Sequence, residues 1–129
     1  MSTWLNAMLA GGKRADPRLS SGEARRMIEA GALLVDVREA SELQRTGRLC
    51  GAKHVPVGLI AAQADPASPH HDADFVPSRP VLLYCASGIR SGSAAQSLRQ
   101  LGYEKAFNIG GLQELVDAGL PVDRSESGR

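Results

Sequence analysis

Val81-Leu82-Leu83-Tyr84-Cys85-Ala86-Ser87-Gly88-Ile89-Arg90-Ser91 places a short apolar run directly before a small, polar loop, with a cysteine at the junction. The run has strand length and no polar alternation, as expected of a strand covered on both faces in a parallel sheet. After the loop, 91–101 sets Ala94, Leu98 and Leu101 on one helical face and ends at Gly102, which reads as a helix with a glycine stop. A strand, a tight loop and a helix in this order are one arm of an α/β unit.

The same alternation extends in both directions. Upstream, Ser20 and Glu23 form a capping box, Ala24, Met27 and Ile28 mark one helical face, and Gly31 ends that helix. Leu33-Leu34-Val35-Asp36-Val37 follows as a second buried strand, and a short strand is expected around 52–55. Downstream, Ala106-Phe107-Asn108-Ile109 reads as a further strand. Helices are expected near 39–45, 57–63 and 111–118. Residues 64–80 carry four prolines among Asp and Ser and read as a surface loop. Strands alternating with helices imply an α/β sandwich around a parallel sheet. Residues 1–18 read as a partly ordered N-terminal arm supplying an edge strand near 16–19, 19–122 as a single domain, and 123–129 as a disordered tail.

Composition narrows the function classes. At 129 residues, 43% hydrophobic and 22% charged, the chain is an ordinary globular domain able to build a core without disulfides or a structural metal. A net charge of +1 provides no chain-wide drive toward nucleic acid. No apolar stretch reaches the roughly 18 residues needed to span a bilayer, and the opening MSTWLNAMLAGGK lacks the pattern of a signal peptide. Two cysteines, Cys50 and Cys85, make no disulfide framework. An unpaired reactive thiol suits a reducing compartment, so a cytoplasmic protein is expected.

In open parallel sheets, ligands bind beyond the carboxyl ends of the strands. Three unusual segments fall there: Asp36-Val37-Arg38, Cys85–Arg90 and Gly110-Gly111. The loop Cys85-Ala86-Ser87-Gly88-Ile89-Arg90 can turn successive backbone N–H groups inward as an anion-binding nest. The next helix adds the positive end of its dipole, and Arg90 adds a fixed charge. Each of these favours a thiolate, and such settings bring a cysteine pKa from about 8.5 into the range of roughly 3.5–7.5. Cys85 is therefore the candidate nucleophile, with Ala86, Ser87, Gly88, Ile89 and Arg90 as its anion-binding loop. Asp36, Arg38 and Glu42 are expected to brace that loop as a charge-linked network. Cys50 reads as a passive thiol, with a resolving role as the alternative. His70, His71 and Asp72 read as solvated loop residues, because no further ligand stands at metal-binding spacing. No metal or organic cofactor is expected.

Four segments together resemble the rhodanese-like family over Leu19–Val122. LVDVRE at 34–39 is similar to its first signature, with Asp36 and Arg38 in the D-x-R positions. ELQRTGRLCGAKHVP at 42–56 resembles its Glu plus G-H-I-x-G-A-x-N-I-P segment. YCASGIRS at 84–91 resembles its active-site loop, and GGLQELVDAGLPV at 110–122 its closing motif. The GGLQEL wording and the length resemble the small phage-shock-type rhodaneses. Arg48, His54 and Leu115 depart from the usual His, Asn and Trp, and Thr46-Gly47 carries one extra residue.

The resemblance implies a five-stranded parallel sheet flanked by helices on both faces. It also implies a sulfurtransferase that passes sulfane sulfur from a donor such as thiosulfate to a thiophilic acceptor through a Cys85 persulfide. The expected partners are small sulfur-containing anions or thiols, including a protein thiol as acceptor. Phosphatases and arsenate reductases of this fold are the first alternative, and they carry one more residue between Cys and Arg. Four residues lie between Cys85 and Arg90 here, a cradle sized for sulfur. A non-catalytic binding module is the second alternative, opposed by the presence of both Cys85 and Arg90.

Overall fold

The computed structural model describes residues 18–125. The main sheet holds β1 (Leu33–Asp36), β3 (Lys53–His54), β4 (Val81–Cys85) and β5 (Ala106–Gly111), all parallel, in the order β3-β1-β4-β5. A separate antiparallel pair is formed by β2 (Arg48–Leu49) and β6 (Val122–Asp123). The helices are α1 (Ser21–Glu29), α2 (Ala40–Thr46), α3 (Ile60–Ala64) after a 3₁₀ turn at Val57–Leu59, α4 (Ile89–Gln100) and α5 (Leu112–Asp117).

The unbroken apolar runs are explained by burial on both faces of the sheet. Leu33, Val35, Val81, Leu83 and Cys85 pack with Ile60, Ala94, Ala95 and Leu98 on the α3–α4 face. Leu34, Leu82, Tyr84, Phe107 and Ile109 pack with Ala24 and Leu115 on the α1–α5 face. Ser20 closes α1 as the capping box requires: its hydroxyl accepts from Glu23 N at 3.1 Å, and Glu23 Oε1 accepts from Ser20 N at 3.1 Å. Among the described residues no helix is long and apolar enough to cross a membrane.

Three differences from the sequence reading have physical causes. The main sheet has four strands among the described residues, not five. Of the expected edge strand near 16–19, Arg18 and Leu19 are described: Arg18 makes a bridge, parallel to Asn108, and the chain enters the Ser20 cap two residues later; the rest of the expected N-terminal arm lies outside the described residues. The β2–β6 pair was not expected. It carries the chain past 122, through the pairing of Asp123 with Arg48 and a bond from Arg124 Nη1 to Thr46 O at 3.0 Å; 126–129 lie outside the described residues. Within the Pro-rich 64–80 loop, Phe75 is fully buried and meets Tyr103 edge-on, centroids 6.3 Å apart, which pins the loop to the core.

Because all four main strands run the same way, the ends Asp36, His54, Cys85 and Gly111 share one edge of the sheet. The expected site positions converge there.

Candidate active site

Cys85 is the last residue of β4 and is fully buried. Its loop turns at Gly88, whose φ of +97° is the left-handed region that a side chain disfavours. That turn aims the Gly88 amide at the sulfur, with N to Cys85 Sγ at 3.0 Å. From the first turn of α4, Ser91 places its hydroxyl 3.4 Å from the same sulfur. Burial pushes the Cys85 pKa up, but the Ser91 hydroxyl and the Ser91, Ser87 and Gly88 amides outweigh it, and the thiol lies below its ordinary value.

Behind the loop stands a buried polar support. Asn108 Oδ1 accepts from the Ser91 hydroxyl at 2.8 Å and from Gly110 N at 3.0 Å, while its Nδ2 donates to Gly88 O at 2.9 Å. Asn108 thus ties β5 to both flanks of the cysteine loop. The Ser91 hydroxyl has one proton and two acceptors in reach. These are Asn108 Oδ1 at 2.8 Å and Cys85 Sγ at 3.4 Å.

Arg90, the second residue of α4, forms a two-pronged pair with Glu42, Nη1–Oε1 2.8 Å and Nη2–Oε2 2.9 Å. This pair holds the Glu42 carboxyl down at about 2 and raises Arg90 further above its usual value. Glu42 is set by α2, where its Oε1 also accepts from Glu39 N at 2.9 Å. Of the expected supporting residues, Glu42 makes the direct link to the loop.

Asp36 and Arg38 act one layer away. Both are buried, and Arg38 Nε and Nη2 reach Asp36 Oδ2 at 3.1 and 2.8 Å. Arg38 Nη1 donates to Thr46 Oγ1 at 2.9 Å and Nη2 to Gly47 O at 2.8 Å, which fastens the end of α2. The additional Thr46-Gly47 pair in the sequence is where this arginine docks. His54 Nε2 lies 2.7 Å from Arg38 O, tying β3 to the same corner. Removing one partner of a buried pair like Asp36–Arg38 costs about 3–5 kcal/mol.

Cys50 and Cys85 are both free thiols. Cys50 follows Leu49, which packs on the α1–α5 face, whereas Cys85 packs on the opposite face. The imidazole of His71 lies 2.9 Å from Phe75 O, and Asp72 pairs with Lys53 at 2.7 Å. Both residues are engaged in holding the 64–80 loop.

Ser91, Asn108 and Arg18 were not among the sequence candidates. Ser91 had a signal: a hydroxyl residue in the first helical turn after a nucleophile. Asn108 had one too, as the lone polar residue of an apolar strand, since a buried amide must be bonded to something. Arg18 had none; it reaches the loop only because its backbone bridges to Asn108.

Residues 20–118 match the model of the rhodanese-like domain. The chain belongs to that family. This rhodanese-like chain is 34% identical to a sulfurtransferase of Allochromatium vinosum over 70% of its length and 77% of the relative's. It is 28% identical to the thiosulfate sulfurtransferase GlpE of Pseudomonas aeruginosa, covering 84% and 90% of the two chains. It is 34% identical to the uncharacterized Bacillus subtilis protein YqhL over 62% of this chain, and spans 56% of that protein's length. Among solved structures, the human single-domain sulfurtransferase TSTD1 matches with a TM-score of 0.68 at 26% identity, over 80% and 97% of the chains. A Rhodopseudomonas palustris protein of unknown function, described as a possible tyrosine phosphatase, matches at 0.75 and 29%, over 83% and 84%. The named sulfurtransferases span most of the chain and support a general sulfurtransferase role.

Proposed function

We propose that this rhodanese-like domain moves sulfane sulfur from thiosulfate to a thiophilic acceptor, with Cys85 as the carrier. The observation that carries this reading is the buried Cys85 sulfur facing the Gly88 amide and the Ser91 hydroxyl, which together favour its anion. The Cys85 thiolate attacks the outer sulfur of thiosulfate. A new S–S bond forms, the S–S bond of thiosulfate breaks, and sulfite leaves with the bonding pair. An acceptor such as cyanide then takes the outer sulfur as thiocyanate and returns the thiolate. No proton is consumed in either step.

The loop donors that hold the thiolate are placed to hold the terminal anion of the persulfide as well. Glu42, braced by α2, keeps Arg90 at the loop flank. Asp36 and Arg38 hold α2 in turn. Since Cys85 has no exposed surface, its sulfur meets the donor as the rim at Ala86, Ser87 and Ile89 yields, and all three rim residues are exposed.

The test is thiosulfate:cyanide turnover. Cys85→Ser should abolish it while leaving the melting curve unchanged, since a hydroxyl supplies no comparable nucleophile near neutral pH. Wild-type protein should hydrolyse an aryl phosphate negligibly, because the Cys85–Arg90 loop is too small for a phosphoryl group. Retained turnover in Cys85→Ser removes Cys85 from the chemistry. Strong phosphatase activity lost in that variant replaces sulfur transfer with phosphate transfer.

A further inference from the structure

Two arginines approach the cysteine loop, and they are differently committed. Both terminal nitrogens of Arg90 are bound to Glu42 at 2.8 and 2.9 Å. The guanidinium of Arg18 stands on the β5 side of the loop. A Cβ built on Gly88 would land on Arg18 Nη2, and one on Gly110 would lie 3.6 Å from it. The nitrogen therefore rests against the residue whose amide is 3.0 Å from Cys85 Sγ. Its counter-ion, Glu114 Oε1, is 3.9 Å away, beyond hydrogen-bond reach, and the Arg18 side chain is 45% exposed. The same Glu114 oxygen is held at 2.8 Å by Gly111 N.

We propose that Arg18 is a specificity-determining residue that holds the anionic, oxygen-bearing end of the sulfur donor, an S-sulfonate such as thiosulfate, beside the cysteine loop. This rests on the sulfurtransferase reading. Gly88 and Gly110 lack the side chains that would push the guanidinium off the loop. Arg18 has donor hydrogens to offer a sulfonate, whereas the Arg90 fork is occupied. As the thiosulfate S–S bond breaks, negative charge gathers on the departing sulfite, next to this cation. Glu114 competes for Arg18 from an exposed position, so it weakens the donor's grip without closing the site.

The experiment is a two-substrate kinetic series with thiosulfate as donor and dithiothreitol as a neutral acceptor. In such a double displacement, kcat/KM for each substrate reports its own half-reaction. For Arg18→Ala, kcat/KM for thiosulfate should fall about three- to tenfold, the effect of losing one partly exposed charged hydrogen bond. The value for dithiothreitol should stay within about twofold, whereas mere damage to the loop lowers both. Glu114→Gln keeps an amide oxygen to accept from Gly111 N and removes the competing charge. It should raise kcat/KM for thiosulfate by about twofold. If Arg18→Ala destabilises the fold, Glu114→Gln decides the matter: a rise supports the proposal, and no change or a fall overturns it. Active wild type with an unchanged thiosulfate value in Arg18→Ala overturns this inference alone. Wild type that takes no sulfur from thiosulfate overturns the reading beneath it.

Discussion

A thiol with no exposed surface ordinarily stays protonated, because its anion loses hydration. Cys85 departs from this through short-range donors: the Gly88 amide at 3.0 Å and the Ser91 hydroxyl at 3.4 Å. The hydroxyl is the largest of the favourable contributions. Ser91→Ala should therefore raise the midpoint of the Cys85 alkylation profile. The lowered wild-type value keeps the thiolate populated to lower pH, so the variant should lose reactivity first on the acid side. A pH series of iodoacetamide rates measures this, and an unmoved midpoint would assign the thiolate to the loop amides alone. At this scale the sequence was legible where a residue type has few uses. A cysteine between a buried strand and a Gly-containing loop marks a candidate site, and the structure sets the Gly88 and Ser91 donors around it. Ser91 and Asn108 are common residues whose role comes from meeting each other across seventeen positions at 2.8 Å, a distance that residue type does not encode.

The element that holds the thiol is the loop between β4 and α4, and β5 is its backstop. A Cβ on Gly111 would strike Ala86 O and lie 3.1 Å from Ser87 Cα, both backbone of the cysteine loop. Gly111 has an ordinary φ of −103°, so the requirement for glycine is one of space. Gly111→Ala should push the loop outward, at a cost of about 1–3 kcal/mol typical of overpacking, and cut sulfur transfer by more than stability. A melt and a turnover assay on one preparation check it; unchanged values for both would mean that the loop has room the structure denies it. The long elements were readable because both faces of β1, β4 and β5 are covered, which leaves uninterrupted apolar runs. β2 and β6 were not, since each contributes two residues and their pairing is fixed by the return of the chain at Pro121 to Cys50 N, 2.9 Å.

Among the described residues, four parallel strands deliver their ends to one edge of the main sheet. The Glu42–Arg90 pair joins α2 to α4 and carries a pH signature. The Glu42 carboxyl is lowered from 4.5 to about 2, chiefly by the Arg90 hydrogen bond. A depressed carboxylate stabilises the fold fully above its unfolded value and loses that contribution as pH falls from 4.5 toward about 2. The melting temperature of wild type relative to Glu42→Gln should thus be highest above pH 5 and should shrink through this window. A difference independent of pH would mean that the pair contributes no charge-linked stability. That Asp36, Arg38 and Glu42 form a charged frame was legible from their positions at a strand end. Their division of labour was not, because the docking of Arg38 on Thr46 and Gly47 depends on where α2 stops. Whether Cys85 carries the sulfur is read out by intact-mass spectrometry after incubation with thiosulfate. Wild type should gain about 32 Da, one sulfur atom as a persulfide, located to Cys85, removed by cyanide and absent from Cys85→Ser. An unmodified Cys85, or the same adduct on Cys85→Ser, would contradict it.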